Sequence, residues 1–392
     1  MTGLVAGALC GLGVVLLLLA AHPFITYPLS LQVLARLRPR PLRPAAAVPR
    51  TAALCVCAYN EEKVIRAKAE NMLALREAAP GLELLVYVDA ASDRTAEILQ
   101  EYAGRIQVIV SPERHGKTYG MNLLVAQTAA EVVVFSDANV TFASDAVPAL
   151  LASFADPAVG VVCGHLVYRD GQGVATAETG SLYWRLEERI KALESATGSA
   201  MGADGSIFAV RRALHTPPPP DLIDDMWVSL SVLCRGGRVV RTGAAVAYED
   251  AVSRPAEEFR RKVRIACQAF NVHRALWPRL RTLPLLDLYK YVSHKLLRWL
   301  TIYLLAASGV CLLGGLVLAG YGEAALVLAG LAVAGAAVAA RVRRGPLAAL
   351  WDILGAFVAT GIGVWRSLQG QRFQTWNPPA SARVANAAGA HG

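Results

Sequence analysis

Residues 131–142 read EVVVFSDANVTF, and the fold turns on how they are taken. Val132, Val133, Val134 and Phe135 form an unbroken apolar run that stops at Ser136, Asp137, Ala138 and Asn139. A short β-branched run bounded by polar residues is the pattern of a strand buried on both faces of a parallel sheet. A carboxylate just past the carboxyl end of such a strand stands where open α/β sheets bind ligands. Asp137 is therefore a candidate contact. Asn139, two residues on, occupies a position where a metal site would more comfortably use a second acid.

The same pattern recurs on the amino-terminal side. Residues 52–58, 82–88 and 106–110 read as further strands, with helices over 62–78, 94–102 and 117–129. Strand–helix alternation with continuous apolar strands implies a parallel sheet covered on both faces. The right-handed crossover rule then brings the strand ends to one edge. Beyond Asn139 the sequence predicts a helix over 144–154, a strand over 159–167 and a long charged helix near 178–194. A stiff break follows at 217–220, and Asp224 and Asp225 open a helix running to Cys234. The expected fold class is α/β, a mostly parallel sheet with helices on both faces, joined to transmembrane and interfacial helices.

The chain of 392 residues is 55% hydrophobic, above the range of ordinary soluble enzymes, and the excess lies at the two ends. Residues 4–21 are uncharged and apolar, close to the ~20 residues a spanning helix needs. No Lys or Arg precedes them, so they read as a retained anchor and not as a secretory signal. Arg36, Arg38, Arg40, Arg43 and Arg50 follow, and this basic excess puts the next domain in the cytoplasm. Three apolar segments lie near the other end, at 296–320, 324–340 and 346–365. The first two form a hairpin that returns at Arg341, Arg343 and Arg344. The third admits two placements. Spanning puts Arg366, Arg372 and Arg383 outside, against the charge rule; lying in the interface accommodates Asp352. The resulting division is an anchor (1–35), a cytoplasmic domain (50–253), interfacial helices (254–295), C-terminal membrane segments (296–368) and a tail (369–392).

A net charge of +9 would suit nucleic acid, but the basic residues flank apolar segments. Arg254, Arg260, Arg261, Lys262, Arg264 and Arg274 lead into the membrane region, which makes lipid the expected partner and excludes nucleic acid. Between Arg279 and Arg298, leucines and tyrosines mix with Arg, Lys and His. That stretch reads either as an amphipathic helix on the membrane surface or as a continuation of the first C-terminal span. His294 within it receives no catalytic role. The seven cysteines are scattered, and neither a metal cluster nor a disulfide is expected of them.

Four strand ends carry polar groups. They are Ala58-Tyr59-Asn60-Glu61-Glu62, Asp89 with Ser92-Asp93-Arg94-Thr95, His115-Gly116-Lys117, and Asp137-Ala138-Asn139. Taken singly, Asn60, Asp93 and Asp145 would cap helices. Taken together on one edge they fit a nucleotide, with Asp89 receiving base or ribose groups and Lys117 beside phosphate. There is no G-x-G-x-x-G and no Walker sequence, which excludes dinucleotide and P-loop sites.

This ordered set resembles the nucleotide-sugar half of the family 2 glycosyltransferases, the group of cellulose, chitin and hyaluronan synthases. Gly202-Ala203-Asp204-Gly205 is similar to the family's acceptor-side loop and Ile223-Asp224-Asp225 to its Thr-Glu-Asp segment; the likeness runs roughly from Arg50 to Gln268. It implies a GT-A fold, Rossmann-like, and inverting transfer from a nucleotide diphosphate sugar, UDP-linked by the same likeness, to a polysaccharide or lipid-linked acceptor. By this resemblance Tyr59, Glu61 and Asp89 would hold the nucleoside, Lys117 the diphosphate, and Asp137 with Asn139 the metal–diphosphate region. Ala58, Asn60, Asp93 and Ala138 fall in the same donor site, and Arg264 would neutralise the diphosphate. Gly202, Ala203, Asp204 and Trp184 fall on the acceptor side. Asp225 matches the final acid of the motif and is the expected base, with Asp224 orienting or tuning it.

The resemblance bears on Asn139. Mg²⁺ and Mn²⁺ take oxygen ligands, and one carboxylate plus substrate phosphates is a sufficient anchor. Asn139 then offers a neutral amide oxygen, and metal binding without nucleotide should be weak; tight binding to the nucleotide-free protein in a calorimetric titration contradicts this. A second departure follows the base. Processive members carry Gln-x-x-Arg-Trp, whereas here Arg261-Lys262-Val263-Arg264-Ile265 leaves the acceptor-stacking Trp absent, with Trp184 beside Tyr183 as a substitute. Single addition and polymer synthesis both stay open, as does oligomeric state. Asn139 and Ile265 also admit a non-catalytic membrane scaffold of a polysaccharide assembly system; Lys117, Asp137 and Asp225 together favour an enzyme.

Overall fold

The computed structural model describes residues 2–169, 175–250, 255–342 and 345–375. Arg254, Arg343, Arg344, Arg383 and the tail from 376 lie outside the described residues, as does the side chain of Tyr183. Helices α1 (Thr2–Ala21) and α2 (Thr26–Leu37) lead into a domain that alternates β1 (Ala52–Ala58), α3 (Ile65–Ala78), β2 (Leu82–Asp89), α4 (Thr95–Gln100), β3 (Gln107–Ser111), α5 (Lys117–Ala126) and β4 (Val132–Asp137). It continues through β5 (Val140–Phe142), α6 (Ala146–Ala152), β6 (Val159–Arg169), α7 (Ala175–Ala196), β7 (Ile207–Arg211), α8 (Asp224–Cys234) and β8 (Arg238–Asp250). Five helices follow: α9 (Pro255–Leu280), α10 (Leu285–Tyr291), α11 (Leu297–Leu318), α12 (Gly322–Ala339) and α13 (Pro346–Leu368).

The strands form one sheet in the order β3-β2-β1-β4-β7-β6-β8-β5. The first four are mutually parallel, as the apolar runs require, and Cys57 of β1 pairs with both Tyr87 and Asp137. The other half is mixed. β7 runs antiparallel to β4 and β6, β8 parallel to β6, and β5 antiparallel to β8. β5, β7 and β8 are not evident from the sequence pattern. β5 is only three residues long, and β8 passes Thr242-Gly243 alongside a register shift at Cys163/His165 of β6, which breaks its periodicity.

Successive strand residues face opposite sides. Leu54, Val56, Val86 and Val134 meet Ile65, Met72 and Phe154 on one face, whereas Cys55, Leu85, Tyr87 and Phe135 meet Met121, Val228 and Phe270 on the other. Phe135 and Phe208, directly opposed across β4 and β7, pack with ring centroids 4.8 Å apart. Such a pair adds about 0.5–1.5 kcal/mol beyond its buried area and pins the register where the sheet changes direction.

Four helices are long and apolar enough to cross a membrane: α1, the run Leu285–Leu318, α12 and α13. Their leucines and valines, among them Leu4, Val310, Leu326 and Leu331, are exposed. α1 lies along α11 so closely that a Cβ on Gly13 would sit 2.6 Å from Leu312, and Ser308 Oγ donates to the Gly13 carbonyl at 2.7 Å. Small residues permit this approach where apolar surface gives no selective attraction between helices.

Part of the stretch 279–298 is continuous with the first C-terminal apolar helix. The apolar helix starts at Leu285 and passes through a π-helical stretch, Val292–Leu296, into α11. Lys290, His294 and Arg298 turn inward onto α7. His294 Nδ1 lies 2.8 Å from Glu194 Oε1 and Nε2 lies 3.0 Å from Glu187 Oε1. Lys290 Nζ donates to the carbonyls of Glu194 and Ser199, Arg298 pairs with Glu187, and Tyr27 of α2 donates to Glu194. The other oxygen of Glu194 accepts the Met201 N–H at 3.0 Å. The loop that follows α7 is therefore tied to the apolar helices.

Candidate active site

The carboxyl ends of β1 and β2 carry Asn60 (φ 53°) and Ala90 (φ 51°), the non-glycine residues with positive φ among those described. A left-handed Ala costs about 1–2 kcal/mol and persists where its surroundings over-determine it. Asn60 Oδ1 accepts the Ser92 N–H at 2.8 Å, and Glu61 N donates to Thr95 Oγ1 at 2.7 Å. Asp93 accepts from Glu62 N and Thr95 N, both at 3.0 Å. Asn60 and Asp93 thus clamp two loops to each other, which goes beyond the capping of one helix.

Asp89, buried at the end of β2, holds the next loop. Its Oδ1 accepts the His115 N–H at 2.7 Å and its Oδ2 the Gly116 N–H at 2.9 Å. The Arg114 guanidinium lies 3.5 Å from the centroid of the Tyr59 ring. Tyr59, Asp89 and residues 114–116 therefore form one patch, and the Asp89 anchor fixes where α5 begins.

That start positions Lys117. Its Nζ donates to Asp137 Oδ1 at 2.7 Å and lies 3.6 Å from Asp224 Oδ2. Burial opposes its charge, but the carboxylates of Asp137, Asp224 and Asp225 outweigh burial and raise its pKa above the ordinary lysine value. Asp224 is buried at the first turn of α8, and its Oδ2 has no hydrogen-bond partner among the described residues. Burial raises its pKa, with Asp137 adding to the effect and Lys117 opposing it. Asp225 is pushed up to about 7, first by burial and then by the charge of Asp224.

The loop 202–205 lies against Asp225. A Cβ on Gly205 would stand 3.0 Å from Asp225 Oδ2, so a larger residue here would press the carboxylate back by a few tenths of an ångström. Ser229 Oγ donates to the Asp225 carbonyl at 2.6 Å and accepts the Ala203 N–H at 3.3 Å. Asp204 Oδ1 accepts the Ser206 N–H at 3.1 Å, and its Oδ2 lies 3.6 Å from Lys191 Nζ. Lys191 Nζ in turn sits 5.1 Å from the Trp184 ring centroid. Trp184 is half-buried, donates to the Leu166 carbonyl at 2.9 Å and meets Tyr168 edge-on at 5.3 Å. The structure thus brings Lys117, Asp137, Asp224, Asp225 and the loop 202–205 together, with Trp184 at the far margin.

Arg264, on α9, donates to Gln268 Oε1 at 3.2 Å. Burial, then Arg261, lower its pKa to about 10, and Asp137 acts in the opposite sense.

The turn Asp137-Ala138-Asn139 is held from two sides. Lys68, fully buried in α3, donates to Ser136 Oγ and to the Val140 carbonyl, both at 2.6 Å. Burial lowers its pKa to about 7. Asn139 Nδ2 donates to Glu249 Oε1 at 3.1 Å. Burial, then Asp137, push Glu249 up to about 7. Neither residue stands out in the sequence. Lys68 looks like the solvent face of a helix until its burial is seen, and Glu249 reaches the site only because β8 returns beside β5.

The segment after α13 does not stand out there either. Gln374 Nε2 donates to the His115 carbonyl at 3.0 Å, and a Cβ on Gly116 (φ 91°) would collide with the Gln374 carbonyl. Asn271 and Gln268 on α9 hold the carbonyls of Gln371 and Phe373 at 3.0 and 2.9 Å, and Arg372 pairs with Asp221.

No group of three or more His, Cys, Asp or Glu able to hold a metal occurs among the described residues. Asp137 and the Asn139 amide are nevertheless hard oxygen donors of the kind Mg²⁺ and Mn²⁺ take. The donor set fits such an ion when substrate oxygens complete it.

A half-parallel, half-mixed sheet with charged groups at its strand ends and apolar helices on both flanks defines a membrane-attached GT-A domain. Residues 53–216 match the model of glycosyl transferase family 2, and this domain belongs to that family. The chain is 26% identical over 248 residues to an N-acetylglucosaminyltransferase of Rhizobium sp. strain N33, covering 59% of this chain and 54% of that protein. It is 24% identical over 297 residues to an N-acetylglucosaminyltransferase of Rhizobium leguminosarum bv. viciae, covering 71% and 66%. The matches span between 54% and 66% of the curated relatives' own length. The mannosyltransferase PcManGT of Pyrobaculum calidifontis, solved with GDP-Man and Mn²⁺, superposes with a TM-score of 0.71 at 21% identity, over 93% of this chain and 99% of that one. That likeness establishes the fold.

Proposed function

We propose that this protein is a metal-dependent glycosyltransferase that moves a sugar, with inversion, from a nucleotide diphosphate donor to a hydroxyl of a saccharide or lipid-linked acceptor. The observation that carries this reading is the cluster in which Lys117 reaches Asp137 and Asp224 while Asp225 stands beside them against the loop 202–205. Inverting transfer needs a base on the acceptor side and cations on the leaving-group side. Asp225, with its pKa near neutrality, takes the proton of the acceptor hydroxyl. Lys117 and Arg264 face the departing diphosphate. Asp137 and the Asn139 amide oxygen would hold Mg²⁺ or Mn²⁺, which supplies further charge neutralisation at the leaving group when bound. Tyr59, Glu61, Asp89 and Asp93 form the nucleoside end, with Arg114 stacked on Tyr59 as an added contact. Gly202, Ala203, Asp204 and Trp184 form the acceptor side.

The donor proposed is a UDP-sugar. N-acetylglucosamine is the first sugar to test because the curated relatives carry that name. GDP-mannose is the second, because it occupies the fold neighbour. The arginines at 36, 38, 40, 43 and 50 support a position of the domain at the cytoplasmic face of the inner membrane. The test is a screen of purified full-length protein against UDP-GlcNAc, UDP-glucose and GDP-mannose, with Mn²⁺ or EDTA, reading released nucleotide. One donor should give metal-dependent release. No release from any donor contradicts the reading and leaves the scaffold in its place.

A further inference from the structure

The turn at Asp137-Ala138-Asn139 carries one acid where two would be expected, and Glu249 stands behind its second position. Glu249 belongs to β8 and is the register partner of Val140, the residue next to Asn139. This pairing fixes the carboxylate beside the turn, and Asn139 Nδ2 donates to its Oε1 at 3.1 Å. A carboxylate only accepts, so the amide presents its nitrogen to Glu249 and leaves Oδ1 for the other side of the side chain. An Asp at 139 would set two carboxylates against each other at that spacing. Asn139 is therefore the residue type that Glu249 selects.

We propose that Glu249 is a positioning residue of the donor site. It orients the Asn139 amide oxygen from a different strand and, ionised beside a bound cation, would add the negative charge that the turn lacks. This rests on the metal-dependent reading above. Partners that orient ligand side chains typically contribute 10–100-fold to metal affinity, which sets the scale of the expected effect.

The test is a Mn²⁺ titration of the full-length protein followed by electron paramagnetic resonance, in the presence of UDP and, separately, GDP. Glu249→Ala removes both charge and orientation and should weaken Mn²⁺ binding about 10–100-fold. Glu249→Gln keeps an acceptor for the Asn139 amide and should weaken it less. The paired exchange Asn139→Asp with Glu249→Gln keeps one acid and one amide in the same hydrogen bond with their places exchanged, and it should bind Mn²⁺ at least as tightly as the native protein. Thermal unfolding of each variant and nucleotide binding without metal report folding separately. Native-like Mn²⁺ affinity in Glu249→Ala, or an exchanged pair no better than Glu249→Ala, overturns the role of Glu249. If the native protein itself binds no Mn²⁺ with either nucleotide, the metal-dependent reading fails, and this assignment fails with it.

Discussion

The base proposed at Asp225 depends on what surrounds that side chain. Burial and the Asp224 charge bring it to about 7, where the carboxylate and its conjugate acid are both accessible at working pH. A base must be unprotonated to act, so kcat/KM should rise with pH up to about 7 and level off above it, falling close to tenfold per unit on the acid side. A pH–rate profile checks this, and a flat profile between pH 5 and 8 contradicts it. Gly205→Ala tests the same acid sterically. The new Cβ would stand 3.0 Å from Asp225 Oδ2 and press it back by a few tenths of an ångström, so transfer should fall several-fold, short of the roughly 10²-fold that a displacement of about 1 Å costs. Nucleotide affinity, measured by titration, should stay native.

Among the elements, the β4–β5 turn and the start of α5 shape the edge proposed to take the donor. Lys68→Met would leave Ser136 Oγ and the Val140 carbonyl without their buried partner, at a cost of about 1–3 kcal/mol in stability. Thermal unfolding reads that loss. Gly116→Ala meets both a φ of 91° and the Gln374 carbonyl. It should release the segment 371–375 and make the C-terminus more sensitive to limited proteolysis. Strands β1 to β4 were legible in the sequence because each is an apolar run buried on both faces. Asp137, Lys117 and Asp225 were legible because they sit at the ends of such runs or at a helix start. Glu249 and Gln374 were not legible. Each reaches the site through a long-range pairing, β8 onto β5 and the post-α13 segment onto Gly116, that no local pattern encodes.

At the scale of the whole molecule, the apolar helices and the loop 202–205 form one mechanical unit. His294 lies between Glu187 and Glu194, and Glu194 also holds the Met201 N–H. His294→Leu would leave buried carboxylates short of a partner. Leaving a buried hydrogen-bonding group without its partner costs about 1–3 kcal/mol, more where that group is charged, so this variant should unfold at clearly lower temperature in detergent. The composition at the chain ends made the apolar segments visible, and the run of exposed leucines and valines agrees with it. The inward turn of Lys290 and His294 was not visible, because a basic residue beside an apolar helix reads the same whether it meets lipid headgroups or a buried acid.

The most direct measurement compares the native protein with Asp225→Asn, following sugar transfer and nucleotide binding on the same purified samples. The account predicts that the variant binds nucleotide as the native protein does while transfer falls by about 10²–10⁴-fold. Transfer by Asp225→Asn within a few-fold of the native rate would contradict it.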